Sequence, residues 1–235
     1  DVKDLLVGDD QGKGIIDQIF EAEGNVNSVA YVAFAGKGET KTSRWYSGSE
    51  YDINRLKNGI NALRATGGTN WTYAMQTASD LLEQRSNNSN EKVVIFLSDG
   101  EPTYTIDEWG RQEGSGSSTR DYYYEDAAKV VNNSSSLKEA KIYSIYLTEN
   151  TKGGMEKFDQ ELDQGIDCEL KNGENLGFAL SEILKIIIPE YTNVTITDVL
   201  SSCVDFIGDK DDVTVTKRTA DGNTTSLVSE SEYTA

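Results

Sequence analysis

The chain has 235 residues, and its 22 Lys and Arg against 40 Asp and Glu give a formal net charge of −18. A surface this acidic repels nucleic acid and anionic membranes, so we expect neither as a partner. The chain contains no His, which excludes His-based acid–base catalysis, Ser-His triads and His-ligated zinc. No apolar run approaches the roughly 20 residues that a membrane-spanning helix needs, so we expect no membrane insertion.

Strand-like and helix-like patterns alternate over residues 1–190. In chain order the sequence predicts a strand at 28–35, an edge strand at 41–47, helices at 51–63 and 70–85, a strand at 92–97, a weaker helix at 124–137, a strand at 142–147 and a closing helix at 175–188 that Pro189 ends. The strand at 92–97 is almost continuously apolar, as expected when both of its faces are covered. This alternation predicts an α/β fold with a doubly wound, mostly parallel sheet and helices on both faces.

The residues after Pro189 have a different pattern. Segments 193–200 and 212–216 alternate Val or Ile with polar residues, and Asp221-Gly222-Asn223 is a turn signal. We therefore predict two units: residues 1–190 form the α/β domain, and residues 191–235 begin an all-β module that is too short to be a stable domain alone.

The two cysteines, Cys168 and Cys203, lie far apart in the sequence and outside any Cys-x-x-Cys pair. Zinc and redox motifs are therefore unsupported. The sequence leaves open whether the two thiols are joined or free.

Two short motifs carry most of the functional information. Gly67-Gly68-Thr69-Asn70 precedes a predicted helix, and Leu97-Ser98-Asp99-Gly100 ends the apolar strand. Ligands of parallel α/β sheets gather at the carboxyl ends of the strands, which is where Asp99 lies. Right-handed crossovers place Thr69 on the same rim.

Together these motifs resemble two of the three metal-binding loops of a von Willebrand factor type A domain. More closely, the chain is similar to part of a Gram-positive pilus tip adhesin or large cell-wall surface protein, in which such a domain precedes immunoglobulin-like stalk modules of the Cna-B type. The resemblance implies a metal-ion-dependent adhesion site that binds Mg²⁺ or Mn²⁺ through Thr69 and Asp99. Mg²⁺ takes hard oxygen ligands at roughly 2.1 Å in an octahedron and keeps several waters, which suits a hydroxyl and one carboxylate.

The resemblance also implies an environment for this site. The residues expected in the outer shell are Gly68, Asn70, Ser98 and Glu101, and the long segment described below adds Tyr104 and Trp109 as residues expected against the bound protein. The implied partner is a host extracellular-matrix or cell-surface protein, with other pilus or surface-protein segments as further partners. The implied location is extracellular, either cell-wall anchored or pilus-associated.

The third loop of the family, Asp-x-Ser-x-Ser, is absent from this chain, and two explanations compete. In the first, which we favour, residues 2–6 are the last turns of the first helix, and the central strand and first metal loop lie upstream of Asp1. In the second, residues 3–7 are themselves the first strand and residues 8–14 are a degenerate loop. Under the first explanation two neighbouring strands have unpaired backbone, which is costly when buried. The missing strand would then come from another polypeptide or from a cleaved part of the same one.

Segment 103–121 is long, polar and unpatterned, and it contains Tyr104 and Trp109. Loops longer than about 12–15 residues are often functional or disordered, and aromatic residues are enriched at binding hot spots. We predict that this insertion flanks the metal and contacts the ligand. A flexible surface loop whose tyrosines pack locally is the alternative.

Adhesion is the leading function, and two others remain open. One is a metal-dependent hydrolase on a doubly wound sheet, with Asp99 as nucleophile or metal ligand. The chain shows no Lys-bearing phosphate loop and no second catalytic carboxylate, so we predict no enzymatic activity and no catalytic residues. The other is a structural pilus subunit with a degenerate metal site.

Overall fold

The computed structural model describes residues 2–9, 12–22, 27–85 and 90–188, together with two strands at 215–218 and 224–227. In chain order the elements are α1 (Val2–Val7), β1 (Gly8–Asp9), β2 (Gly12–Lys13), α2 (Ile15–Glu21), β3 (Val32–Ala33), β4 (Lys41–Thr42), α3 (Glu50–Asn61), α4 (Trp71–Glu83), β5 (Val93–Ser98), β6 (Tyr104–Ile106), β7 (Gln112–Gly114), α5 (Asp121–Asn133), α6 (Ser135–Lys138), β8 (Lys141–Tyr146), α7 (Glu149–Gln160), β9 (Cys168–Asn172), α8 (Leu176–Ile187), β10 (Val215–Arg218) and β11 (Thr224–Leu227). Within these ranges no helix has the length and apolar character needed to cross a membrane.

The central sheet is parallel, with the strand order β5-β8-β9. β5 pairs with β8 from Val93↔Lys141 to Ser98↔Tyr146, and β8 pairs with β9 from Ile142↔Cys168 to Tyr146↔Asn172. Every residue of β8 from Ile142 to Tyr146 is buried, because strands cover both of its edges and helices cover both of its faces. The predicted α/β architecture and the strands predicted at 92–97 and 142–147 are thus confirmed.

Two apolar cores lie on the two faces of this sheet. On one face Val94 and Phe96 of β5 join a cluster with residues of α4, α5 and α7, including Trp71 and Phe158. On the other face Val93, Ile95 and Leu97 pack against residues of α2 and α8. Successive side chains of β5 therefore point to opposite faces of the sheet and enter different cores. This is why the strand is apolar at almost every position.

The first elements test what the two explanations expect of the residues from 2 to 7. Residues 2–7 form a helix, so the prediction of a strand at 3–7 is wrong. The helix ends at Gly8, whose φ of 83° is the left-handed conformation that commonly terminates helices. The interpretation of residues 2–6 as helical is confirmed. Gly8 pairs with Lys13 and Asp9 with Gly12 to form the short pair β1–β2, and α2, a helix that the sequence did not predict, follows.

The strands predicted at 28–35 and 41–47 form one narrow antiparallel ribbon. Val32 pairs with Thr42 and Ala33 with Lys41, and a single bridge joins Val29 to Tyr46. Regular strand geometry is therefore confined to β3 and β4, and the ribbon has no pairing with β5 in the described part of the chain. The residues from Val29 to Phe34 are all only half-buried.

Three further parts of the fold differ from the sequence prediction. Segment 103–121, which the sequence predicted to lack regular structure, contains an antiparallel hairpin. Its strands β6 and β7 pair from Tyr104↔Gly114 to Ile106↔Gln112. The helix predicted at 124–137 is two helices, α5 and α6, with Ser134 as the N-cap of the second. Finally, the sequence predicted neither α7 nor β9. The Gly153-Gly154 pair weakens the helical pattern of α7, and β9 is a short, partly polar strand at the edge of the described sheet.

Cys168 of β9 is a free thiol that donates a hydrogen bond to Asp159 Oδ1 at 3.1 Å. Burial raises the pKa of this thiol to about 12, so it is protonated and unreactive near neutral pH. Cys203 lies outside the described residues.

The C-terminal segment contributes one described hairpin. β10 and β11 pair from Val215↔Leu227 to Arg218↔Thr224, on either side of the turn predicted at 221–223. The strand predicted at 193–200 and the boundary predicted between residues 190 and 191 fall outside the described residues, and the two-unit division stays a prediction.

α4 and α8 both begin with an asparagine cap. The Asn70 side chain accepts a hydrogen bond from the Tyr73 N–H at 2.9 Å, and the Asn175 side chain accepts one from the Phe178 N–H at 3.1 Å. Asn70 is fully buried and also donates from Nδ2 to the Thr105 carbonyl at 3.4 Å, whereas Asn175 is exposed. The predicted helices at 51–63, 70–85 and 175–188 are confirmed, and the sequence placed their ends within two residues.

We expect replacement of Phe158 by Ala to lower the free energy of unfolding by about 3–5 kcal/mol, because its fully buried ring lies among the rings of Trp71 and Phe96. Phe178→Ala is the matched control, since this ring is 63% exposed and its loss should cost less than about 0.5 kcal/mol. Urea unfolding of both variants measures the difference. Equal losses would contradict the described core.

We expect Asn70→Ala to cost about 2 kcal/mol or more, since it removes a helix cap and leaves the buried Thr105 carbonyl without this donor. Asn175→Ala removes an exposed cap of the same kind and should cost about 1 kcal/mol. The measurement compares the urea midpoints of the two variants, provided that both unfold with the same m-value. A smaller loss for Asn70→Ala than for Asn175→Ala would show that the buried cap does not hold this loop.

Candidate functional site

The turn that follows β5 places the Asp99 carboxylate at the carboxyl rim of the sheet. Ser98 is buried, and its hydroxyl donates to the Gly100 carbonyl at 2.8 Å while accepting from Trp71 Nε1 at 3.2 Å. The Asp99 carbonyl accepts a hydrogen bond from Thr148 Oγ1 at 3.1 Å. The backbone of the turn is therefore held from both sides, while Asp99 itself is exposed.

The loop that carries Thr69 needs both of its glycines. Gly67 has a φ of +63°, which favours glycine, and a Cβ on Gly68 would lie 2.7 Å from the Tyr104 ring and would collide with Thr103 Oγ1. This close approach lets the Thr69 N–H donate to Thr103 Oγ1 at 2.8 Å. The Thr69 carbonyl accepts from the Thr103 and Tyr104 N–H groups at 2.8 and 3.0 Å. The loop is thereby fastened to the start of β6.

The Thr69 side chain lies beside the turn that carries the other predicted metal ligand, Asp99. Thr69 Oγ1 lies 3.4 Å from the position that a Cβ on Gly100 would occupy, so the Thr69 hydroxyl adjoins the turn that carries Asp99. A rigid hydroxyl and an exposed carboxylate thus share one edge of the molecule. Their role as metal ligands stays a prediction.

Asn70 and Ser98, predicted around the metal, turn their polar atoms inward. The hydrogen bonds of Asn70 start α4 and reach β6, and those of Ser98 fix the turn at Gly100. Through these hydrogen bonds both residues stabilise the loops that form the rim. Gly68 supports it by allowing β6 to approach.

Glu101 lies on the side of the rim that faces α5 and α7. Burial raises the pKa of the Tyr124 hydroxyl to about 12, and the nearby Glu101 carboxylate adds to that shift. The same carboxylate contributes to the raised pKa of Lys157, whose main cause is a hydrogen bond to Asp121. Glu101 is therefore placed among these side chains.

The β6–β7 hairpin places its two aromatic residues differently. Tyr104 is half-buried against Gly68, Gly114 and Gly116, whereas Trp109 at the hairpin tip is 70% exposed. The Arg111 guanidinium lies 4.8 Å from the Trp109 ring and pairs with Asp107 at 2.8 Å. Although partial desolvation opposes it, hydrogen bonds from Arg111 and Trp109 lower the pKa of the Asp107 carboxyl. These contacts order the tip, so Trp109 presents a fixed apolar surface.

Three rim residues were missed by sequence reasoning. Thr103 and Thr148 fasten the two loops, and Glu39 places a carboxylate against Gly67, where an added Cβ would lie 2.8 Å from Glu39 Oε2. Thr148 had a usable signal, because it follows directly after the strand predicted at 142–147. Thr103 is the first residue of the segment predicted to flank the metal, although its bond to Thr69 was not predicted, and Glu39 had no signal, since only the folded chain brings it to the glycine loop.

The donor set fits a small hard cation in part. Thr69 and Asp99 offer two of the six oxygens that Mg²⁺ or Mn²⁺ takes, and waters normally fill several of the remaining positions. Among the described residues there is no group of three or more Asp, Glu, His or Cys side chains that could hold a metal by themselves. The rim therefore supplies part of a coordination shell.

Comparisons with known proteins agree with this geometry. Residues 10–101 match the family model described as von Willebrand factor type A domain. The fold is similar to the pilus adhesin SpaC from Lactobacillus rhamnosus GG in its open conformation, with a TM-score of 0.54 and 19% identity over 74% of this chain and 26% of that chain. A second form of the same adhesin gives a TM-score of 0.53 and 18% identity over 74% of this chain and 27% of that chain.

A third solved structure extends the comparison. The von Willebrand factor type A protein from Catenulispora acidiphila matches with a TM-score of 0.52 and 13% identity over 73% of this chain and 36% of that chain. The chain thus spans about a quarter to a third of the length of these structures, and no curated protein sequence matches it. Residues 10–101 are thus similar to the von Willebrand factor type A family, and the chain shares the fold of these structures.

Proposed function

We propose that this chain is a non-enzymatic, metal-dependent adhesion module of a bacterial surface or pilus protein. It binds host extracellular-matrix or cell-surface proteins through Mg²⁺ or Mn²⁺ held at Thr69 and Asp99. The proposed location is extracellular, on the cell wall or a pilus, with residues 191–235 beginning an immunoglobulin-like stalk module of the Cna-B type.

The observation that carries this proposal is the meeting of Thr69 and Asp99 on one rim. The Thr69 backbone and the Asp99 turn are each held by hydrogen bonds, which leaves the hydroxyl and the carboxylate to face a ligand. When bound, the cation would join these oxygens to a carboxylate of the partner protein. A cation is needed for that purpose, because a chain with a net charge of −18 otherwise repels an acidic partner.

The hairpin beside the rim supports a protein ligand rather than a small one. Trp109 is exposed and fixed by Arg111, and aromatic residues on ordered supports are favoured as binding anchors. Lys37 ties the neighbouring turn to the hairpin, since its ammonium group bonds the Gly110 carbonyl and lies 5.5 Å from the Tyr73 ring. The rim therefore combines a cation site with an adjoining aromatic contact.

The metal site can be tested by adding substoichiometric Mn²⁺ and recording amide NMR spectra. We expect the signals of Thr69, Asp99 and Gly100 to broaden first, because paramagnetic broadening is strongest close to the ion. Asp99→Asn removes the negative charge and one of the two carboxylate oxygens, and Thr69→Val removes the hydroxyl, while both keep the side-chain shapes, so each should strongly reduce this selectivity. Glu108→Gln, an exposed acid on the hairpin, is the control and should leave the broadening unchanged. Uniform broadening over the acidic surface, or unchanged broadening in Asp99→Asn, would contradict the site.

Adhesion itself needs a separate readout. We expect the chain to be retained on immobilised collagen, used as the first matrix probe, in Mg²⁺ and to be released by EDTA. Asp99→Asn should lose at least tenfold in retention, and Trp109→Ala should lose affinity while keeping the Mn²⁺ broadening. Retention that is equal in EDTA and in Mg²⁺ would show that any adhesion does not use this rim.

A further inference from the structure

The helix α3 differs in charge from most of the chain. The chain has 40 Asp and Glu residues, yet none occurs from Ile53 to Ser79, which is its longest stretch without an acidic residue. That stretch includes most of α3, whose only acidic residues are Glu50 and Asp52 near its start. The net charge of −18 therefore arises elsewhere in the chain, and an acidic partner is repelled less at this helix than at an average part of the surface.

The exposed side chains of α3 form one continuous stripe. Side chains three or four positions apart lie on the same side of a helix. Leu56 and Ile60 are buried on the side that faces the protein. On the solvent side, the residues with this spacing continue into one that follows the helix, and all of them are exposed. These residues, which we call the α3 stripe, are Tyr51, Asn54, Arg55, Asn58, Asn61 and Arg64.

The two arginines of the α3 stripe bond neutral groups in the described part of the chain. Arg55 Nη1 donates to the Tyr51 hydroxyl at 2.8 Å, and its guanidinium lies 5.5 Å from the Tyr51 ring. Arg64 Nη1 donates to the carbonyls of Asn61 and Leu63 at 3.0 and 2.8 Å. A guanidinium has five N–H donors, so both arginines keep donors that can bind a carboxylate.

A second cation lies beside Arg64 at the end of the stripe. Lys3 Nζ donates to the same two carbonyls, that of Asn61 at 3.3 Å and that of Leu63 at 2.6 Å. The carbonyls at the C-terminus of a helix carry a partial negative charge, which lets the two cations approach each other. A carboxylate placed at this end of α3 would be attracted by both cations.

The other charges of α3 do not cancel this attraction. Lys57 pairs with Asp17 of α2, and Asp52 pairs with Arg44, each at 2.5 Å. The two carboxylates are only 16% and 13% exposed, so they are largely shielded from a bound molecule. Glu50 is exposed, but it lies in the first turn. Positive charge therefore predominates toward the C-terminal end of the helix.

The composition of the α3 stripe is typical of a protein-binding surface. Tyr and Arg are enriched at interface hot spots, whereas Lys, Asp and Glu are depleted at interface cores. The Tyr51 ring is 65% exposed, and its bond to Arg55 holds it in place. Each Asn amide offers both donors and an acceptor, which match the C=O and N–H groups of an extended peptide.

The charges of the stripe suit a polypeptide better than a denser polyanion. Nucleic acid carries one charge per roughly 1.7 Å, and a chain with a net charge of −18 repels such a density. The distance along α3 from Arg55 to the helix end beyond Asn61 is about 10–13 Å, since each residue rises about 1.5 Å. An extended peptide covers that distance in three or four residues, at roughly 3.3 Å each. Two carboxylates with this separation can therefore reach both cationic positions.

We propose that the α3 stripe binds an acidic, extended segment of a partner protein. One carboxylate of the segment binds Arg55, and a second binds the end of the helix between Arg64 and Lys3. The ring of Tyr51 packs against the segment, and the Asn amides bond its backbone. This surface includes neither Thr69 nor Asp99 and needs no cation, so the inference goes beyond the proposed metal-dependent adhesion.

An NMR titration of the full chain tests this surface in EDTA, so that the outcome does not depend on the metal site. The probe is the capped peptide Ser-Glu-Leu-Ser-Leu-Glu-Ser, whose two carboxylates lie four residues apart. The control peptide has Gln in place of both Glu. We expect the probe to shift the side-chain amide signals of Asn54, Asn58 and Asn61 in a saturable manner. The control should bind at least fivefold more weakly, because it lacks both ion pairs.

Variants of the chain locate the contact. Arg55→Gln and Arg64→Gln should each weaken binding of the acidic peptide about threefold, which corresponds to one exposed ion pair. Asn58→Asp places a negative charge in the middle of the stripe and should weaken binding at least as much. Lys138→Gln removes one exposed positive charge from α6, so it changes the net charge equally and should leave the affinity unchanged.

Several results would overturn the proposal. These are a lack of shifts with the acidic peptide, equal binding of the two peptides, or unchanged affinity in Arg55→Gln and Asn58→Asp. Tighter binding of heparin than of the peptide at the same signals would assign the surface to a sulfated polysaccharide instead. Shifts of these signals on dilution of the protein alone would assign it to a second copy of the chain. Failure of the Mn²⁺ test at Thr69 and Asp99 would not change these expectations, because EDTA removes the cation.

Discussion

The parallel pairing of β5 with β8 is the interaction on which the other features of the molecule depend. It helps to bury β8 from Ile142 to Tyr146, and it places the Ser98–Asp99 turn beside Thr148, whose hydroxyl donates to the Asp99 carbonyl at 3.1 Å. It also occupies only one edge of β5. The most apolar strand of the chain therefore supports the candidate site, and its other edge pairs with no strand in the described part of the chain.

The candidate site gains its geometry from backbone contacts more than from side-chain pairs. Thr69 is held by its N–H and carbonyl to Thr103 and Tyr104, and Gly68 allows that approach because it has no Cβ. Rigid loop ends of this kind hold ligand oxygens in place before a cation binds, which lowers the cost of ordering them.

The sequence predicted the parts of the fold that have strong local patterns. The apolar run of β5 and the regular helical spacing of α3, α4 and α8 identified those elements, and the rule for parallel strands placed Thr69 and Asp99 on one rim. The pattern of α7 was too weak, because its buried side includes Thr151 and Gly154 beside Met155 and Phe158. The β6–β7 hairpin was missed since its residues are mostly polar, and its contacts with the turn at Lys37 join distant parts of the chain. Glu39 reached the rim through the same long-range packing.

Hydrogen exchange of the β5 amides in the chain alone tests the central claim most directly, namely that β8 is the one described strand that pairs with β5. The account predicts a strict alternation: the amides of Val93, Ile95 and Leu97 exchange fast, while those of Val94, Phe96 and Ser98, which face β8, exchange slowly. Neighbouring amides lie in the same strand and share its local stability. Each amide of one set can therefore be compared directly with its neighbour in the other set. Equal protection of both sets would contradict the account, because it would mean that the far edge of β5 is already paired.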